Sequence, residues 1–264
     1  MRKIAVCGKG GVGKSFIVYG FAKVLAKKGY KVLVVDVDES NQSLYKLFGF
    51  SEPPASFMDF LGGKKAVSQQ LRKKFQAQDK EVKISVIEEK KFHMNDIPKE
   101  FIKSDGNIHL LSIGKIKEPM EGCACPMGVV SREFLEKIEL SEDELILVDT
   151  EAGIEHFGRG VEKGVDTIVA VAEPYLDSIE VAEKAIVLAK EMGKKTYLII
   201  NKVPAKFENK ILEILQRKGL TPAGIIHFSE EVYTLSLEGK ATLSAKVFEE
   251  IEKSLDSILM GVKI

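Results

Sequence analysis

Three groups of residues in this chain carry chemistry. The first is Gly8-Lys9-Gly10-Gly11-Val12-Gly13-Lys14-Ser15, which matches G-x-x-x-x-G-K-[ST]. Glycines at this spacing let the backbone curl until its N–H groups point inward as an anion nest. A helix beginning at Lys14 would add its positive end. Lys14 is then placed to reach the β and γ phosphates of a nucleoside triphosphate, and the Ser15 hydroxyl to ligate Mg2+. Phe16 follows within the same binding segment. The second group is acidic: Asp36 and Asp38 in VVDVDES, and Asp149 in LILVDTEAG. Asp36 and Asp38 follow the second apolar run, and Asp149 ends another, where a carboxylate can meet a metal ion. The third is the pair Cys123 and Cys125 in MEGCACPMG. Two thiolates at i and i+2 can bite one metal ion from the same side of an extended segment, yet a structural thiolate site generally wants four ligands.

The elements that must position these groups follow from hydrophobic patterning. KIAVC (3–7) is a short apolar strand, and Ile17, Val18, Phe21, Val24 and Leu25 then recur at helical spacing up to a glycine stop at Gly29. KVLVV (31–35) is a continuous apolar run, as in a strand buried on both faces. This is a βαβ unit, which implies a parallel sheet and a right-handed crossover. Further strands are expected at 107–114, 144–150, 166–174, 195–203 and 223–229, and helices at 129–138, 178–193 and 206–219. The alternation reads as one α/β domain over 1–264, a doubly wound, mostly parallel sheet flanked by helices. Residues 36–61 read as a loop with short helices. Residues 62–107 hold eleven Lys/Arg against seven Asp/Glu with weak periodicity. They read as a Lys-rich insertion, mostly on the surface, with a possible strand at 83–87 and a loop over 88–106.

The balance of 39 Lys plus Arg against 39 Asp plus Glu argues against nonspecific nucleic-acid or anionic-lipid binding. No apolar run approaches the roughly 20 residues of a membrane span. No export signal is visible and cysteines number three, so a reducing, cytoplasmic setting is expected. Cys7 closes the first strand and reads as a small buried hydrophobe.

Lys9 is a second lysine inside the loop, which a generic phosphate loop does not need. KGGVGKS resembles the deviant Walker A loop of the MinD/ParA/nitrogenase-iron-protein class of P-loop ATPases. The resemblance implies an ATP-gated homodimer in which Lys9 reaches the partner's phosphates, as an arginine finger does. It gives Asp38 the role of orienting the attacking water. It gives Asp149 that of the Walker B carboxylate holding Mg2+ through water, with Asp36 assisting nearby. Asn201 in LIINKV stands where the class places an adenine-contacting asparagine, and IIHFSEE (225–231) is expected over the base.

A two-fold dimer doubles whatever lies on its axis, so two Cys-x-Cys segments would supply four thiolates. EGCACPMGVVSREFL, DTEAGIEHFGRG and AEPYLDSIEVA together resemble the CooC-type nickel-insertion ATPases that mature nickel carbon monoxide dehydrogenase. The resemblance implies a metallochaperone that binds and hydrolyses ATP to ADP, carries nickel, and serves carbon monoxide dehydrogenase or a related nickel enzyme. Thiolates also take Zn2+ and Cu(I), so nickel rests on the resemblance alone. His156, beside Glu151 and Glu155, is a candidate transient ligand. Two other readings stay open: a MinD- or ParA-like positioning ATPase, and an iron–sulfur scaffold of the same class. The tail from Ala245 onward has an apolar stripe and a mixed polar face, as expected of a helix packed on the sheet rather than on a membrane.

Overall fold

The computed structural model describes all residues except 1, 41–42, 77–84, 116–124, 155–156, 158–159, 240–241 and 262–264. Ten strands are described: β1 (Lys3–Cys7), β2 (Lys31–Asp36), β3 (Phe92–His93), β4 (Lys103–Asp105), β5 (Ile108–Ser112), β6 (Ile138–Glu139), β7 (Glu144–Asp149), β8 (Thr167–Ala172), β9 (Lys195–Val203) and β10 (Gly224–His227). Eight of them form one sheet in the order β10-β9-β8-β1-β7-β2-β5-β4. Every pairing is parallel except β4 with β5, an antiparallel edge turned at Gly106. The doubly wound α/β class expected from the alternation is therefore the observed one.

The register sets the chemistry. On β2, Asp36 pairs with Asp149 of β7 on one side and with Ser112 of β5 on the other. Three polar residues thus end three adjacent strands at the carboxyl edge of the sheet, where open α/β folds place ligands.

Two apolar layers cover the sheet. On one face lie α1 (Lys14–Lys27) and the C-terminal helix α9 (Ala245–Met260), sharing a core with Ile4, Val6, Val32 and Val34. Ile251 and Leu255 of α9 are fully buried there, and Ile251 lies so close to Gly20 that a side chain on Gly20 would strike it. The tail is a packed helix, as its stripe implied. On the other face lie α4 (Gly63–Gln76), α5 (Cys125–Lys137) and α6 (Leu176–Glu191). Short helices α2 (Leu44–Leu47) and α3 (Phe57–Phe60) interrupt the 36–61 segment, as expected. Helices α7 (Glu208–Arg217) and α8 (Glu230–Leu237) complete the set.

Most described residues of 62–107 are exposed or half-exposed, as expected, yet eight of them enter the core. Val67 and Leu71 of α4, together with Val86, Ile87, Phe92, Met94, Ile97 and Phe101, are buried in the same core as Phe134 of α5. The Phe92 and Phe134 ring centroids are 5.3 Å apart. Residues 85–87 are not a strand. Their backbone is held by a buried carboxylate, with Val86 and Ile87 N–H donating to Glu133 at 2.9 and 3.1 Å. An acceptor-only side chain replaces a strand partner here, so the segment is ordered without the alternation that marks a strand. Residues 83–84 of the expected strand lie outside the described residues.

Candidate active site

The phosphate loop leaves β1 and enters α1, as its motif requires. Gly13 caps α1 in the left-handed region (φ 94°), with no side chain bonded to the first-turn amides. Those N–H groups remain for an anion. Gly8 has φ 143°, and a Cβ there would stand 2.2 Å from the Val171 carbonyl oxygen. A Cβ on Gly13 would stand 2.4 Å from Asn201 Nδ2. Gly13→Ala therefore combines a backbone conformation costing about 1–2 kcal/mol with a side-chain clash against a buried residue. It is expected to lower the melting temperature and to abolish nucleotide-induced stabilisation, both read by thermal unfolding with and without Mg·ADP. A variant stabilised by Mg·ADP as strongly as wild type would refute this.

Asn201 is 3% exposed, and its Nδ2 donates to the Val12 carbonyl at 2.8 Å. It thus braces the phosphate loop from β9. The same residue, with Gly13 and Phe16, lines a cavity of about 240 Å3 whose far wall is Ile226–Ser229, Val232 and Tyr233. The expected adenine-side residues and the 225–231 segment meet around one cleft beside the loop.

The two loop lysines differ. Lys14 is 7% exposed and its Nζ donates to the Lys9 carbonyl at 3.3 Å. The Lys9 side chain is 48% exposed and ion-pairs with Asp177 in the first turn of α6. That pair holds the Asp177 carboxyl below the usual carboxylate range.

The acids converge. Ser15 Oγ donates to Asp149 Oδ2 at 2.6 Å. Asp149 is 1% exposed, and its Oδ1 has no hydrogen-bond partner among the described residues. Burial, then the neighbouring Asp36 charge, pushes the Asp149 carboxyl up to about 7. Burial likewise raises Asp36 to about 6, opposed by Lys115. Asp38 is buried too; its Oδ1 accepts from the N–H and hydroxyl of Ser40 at 2.9 and 2.6 Å. Among the described residues, no three carboxylate, imidazole or thiolate side chains form a ready-made metal cage. This fits Mg2+, which usually takes one or two carboxylates plus phosphate oxygens and water. The unpartnered oxygen of Asp149 and an all-oxygen donor set suit such a hard cation.

Three contributors were not legible in the pattern. Lys202 has a left-handed backbone (φ 58°), and its Nζ joins the Gly11 carbonyl to Glu173, each at 2.6 Å. Lys115 pairs with Asp36 at 2.7 Å. Asp177 holds Lys9. Each is a surface-type residue whose partner is remote in sequence, so no local motif announces it.

The cysteine segment stands differently. Cys123 lies outside the described residues, and so does His156. Cys125 is the first residue of α5, which begins four residues before the expected helix at 129, with Pro126 in its first turn. The premise of a wholly extended Cys-x-Cys run is corrected at that residue. Cys7 is fully buried, and burial pushes its thiol up to about 12, as befits a core residue.

Residues 3–243 match the family model of the CobQ/CobB/MinD/ParA nucleotide-binding domain. An uncharacterized ATP-binding protein of Methanocaldococcus jannaschii is 44% identical over 94% of this chain and 96% of its own length. The carbon monoxide dehydrogenase accessory protein CooC of Rhodospirillum rubrum is 35% identical over 74% of this chain and 71% of its own. Among solved structures, a chain of the MinC:MinD cell division protein complex of Aquifex aeolicus superposes with a TM-score of 0.69. It is 20% identical and covers 100% of this chain and 97% of that one. With a phosphate loop braced from β9 and an acid pair beside Ser15, the chain belongs to the CobQ/CobB/MinD/ParA nucleotide-binding family and is an ATPase.

Proposed function

We propose that this ATPase is a metal-insertion factor. In this reading it is a homodimer gated by ATP, binding a metal ion, nickel in the first instance, through Cys123 and Cys125 of each subunit. The cargo goes to carbon monoxide dehydrogenase or a related nickel enzyme. The observation that carries the reading is the 35% identity to the carbon monoxide dehydrogenase accessory protein, joined to a Cys-x-Cys-Pro sequence at 123–126.

The ATP chemistry follows from the site. The loop amides and Lys14 bind the β and γ phosphates. Ser15 and Asp149 would hold Mg2+, with Asp36 in support; when bound, the ion offsets charge on the phosphate oxygens. Asp38 orients a water for in-line attack on the γ phosphorus. The new P–O bond forms as the bond to the β–γ bridging oxygen breaks, giving ADP and phosphate. Lys9, exposed on the loop, supplies its charge to the opposite subunit's phosphates.

The four-thiolate site needs both subunits, so metal binding and dimerisation should be linked. Anaerobic sizing with metal analysis, after adding Ni2+ with and without Mg·ATP, tests this. One nickel per dimer is expected for the wild type. The double variant Cys123→Ser/Cys125→Ser should lose it while still hydrolysing ATP. Equal nickel binding by the double variant would defeat the reading and leave a dimerising ATPase of the MinD or ParA kind. A brown protein with bound iron and sulfide would move the conclusion to an iron–sulfur scaffold. No helix among the described residues is long and apolar enough to cross a membrane.

A further inference from the structure

Lys115 follows β5 and stands shortly before Cys123 in the chain. Its ammonium lies 2.7 Å from Asp36 Oδ2, with the lysine side chain 15% and the aspartate side chain 7% exposed. The same ammonium donates to the backbone carbonyl of Asp38. One largely buried cation therefore holds the carboxylate of Asp36, the last residue of β2, and the backbone carbonyl of Asp38 just beyond it.

Asp36 is in register with Asp149, the carboxylate that carries an unpartnered oxygen and accepts from Ser15. A divalent ion held by Asp149 and Ser15 would thus draw on the negative charge of Asp36, which Lys115 already offsets. Water screens this site poorly, because both partners of the pair are largely buried. Two cations a few ångströms apart repel, and each weakens the other's hold on a shared carboxylate. Exposed ion pairs elsewhere on the molecule, such as Lys9 with Asp177, lack this leverage.

We infer that Lys115 is a positioning residue that competes with Mg2+ for Asp36 and so sets the divalent-ion affinity of the nucleotide site. When the metal nucleotide binds, Lys115 releases Asp36. Its grip on the Asp38 carbonyl loosens with it, so metal occupancy and the placement of the water-orienting carboxylate change together. The inference rests on Asp36 and Asp149 forming the cation site. A lysine serving only as a structural counter-ion would act in the opposite sense, since its loss would loosen the site and weaken metal binding.

The test is a Mn2+ titration of the full chain in the presence of ADP, read by the loss of the free-ion paramagnetic resonance signal. Wild type, Lys115→Gln, Lys115→Arg and Asp149→Asn are compared. Lys115→Gln is expected to bind Mn2+ about three- to ten-fold more tightly than wild type, by removal of one nearby positive charge. Lys115→Arg, which keeps the charge, should stay near wild type, and Asp149→Asn should bind about 10–100-fold more weakly. Unchanged or weaker binding by Lys115→Gln overturns the competition while leaving the cation site standing. Wild type that binds no Mn2+ with ADP, or Asp149→Asn that binds as wild type does, overturns the cation site and the inference together. A second readout needs no variant. Acetylation of the Lys115 amine, followed by mass spectrometry, should be faster with Mg·ADP than with ADP and a chelator. Equal or slower labelling with Mg·ADP overturns the proposal.

Discussion

Replacing Asp149 by Asn is expected to make the protein more stable and much less active. In Mg2+-free buffer at pH 8 the variant should unfold at a higher temperature than wild type, because the folded chain must otherwise bury an ionised carboxylate with an unpartnered oxygen beside Asp36. The sign follows from linkage. The Asp149 carboxyl rises from 3.8 to about 7 on folding, chiefly through burial. The folded chain therefore holds this proton more tightly than the unfolded chain does. Between pH 3.8 and about 7 the stability of wild type falls as pH rises, and above that the full penalty is present. Asn carries no such penalty, so the variant's advantage grows through this window to a few kcal/mol at pH 8 and vanishes near pH 4. Mg·ADP should reverse the order by stabilising only the wild type. If Asp149 holds Mg2+ through water, its loss costs about 10–100-fold in metal affinity, and hydrolysis falls at least as far. Thermal unfolding at pH 4, 6 and 8, with and without Mg·ADP, reads all of this. An Asn variant less stable than wild type at pH 8 without Mg2+ would contradict the burial argument. One that hydrolyses ATP at the wild-type rate would contradict the role of the carboxylate.

Lys9→Ala should leave ATP binding within a few-fold of wild type and cut hydrolysis by about three orders of magnitude, the range of a charge supplied in trans. Binding survives because Lys14 and the loop amides stay in place. The stability cost should be small, since the pair with Asp177 is exposed. The decisive measurement is mixing. Lys9→Ala has an intact Asp38, and Asp38→Asn has an intact Lys9, so neither homodimer should hydrolyse ATP well. In the mixed dimer, the Lys9→Ala subunit keeps its own Asp38 and receives Lys9 from its partner, and activity should return. If Lys9 acted on its own subunit's nucleotide, mixing would restore nothing. That result would sink the face-to-face dimer on which the four-thiolate site depends.

The sheet and the phosphate loop were legible because their causes are local. KIAVC, the glycine loop and KVLVV lie within one βαβ unit, and buried parallel strands leave long apolar runs with sharp ends. The expectation that Asn201 lies beside the base rested on the class resemblance together with its place on a strand. Asn201 lies near the C-terminal end of β9, and strand ends on the carboxyl edge face the ligand in open α/β folds.

Elsewhere the sequence was silent for a physical reason. The 62–107 stretch is Lys-rich, yet Val67, Val86, Ile87, Phe92 and Met94 are buried in the core that α5 shares. Their spacing is irregular because Val67 sits on a helix, Phe92 on a two-residue strand, and Val86 and Ile87 are held by a carboxylate rather than a ladder. Sequence alone determined that this chain carries a phosphate loop, an extra lysine within it, three acids at or just beyond the ends of apolar strands, and two close cysteines. Only the tertiary structure decided that Asp36 and Asp149 stand side by side, that Lys115 already holds the first, and that Asn201 braces the loop. Those pairings join residues 79 to 189 positions apart, and a chain's local pattern does not encode which distant partner a charge will meet.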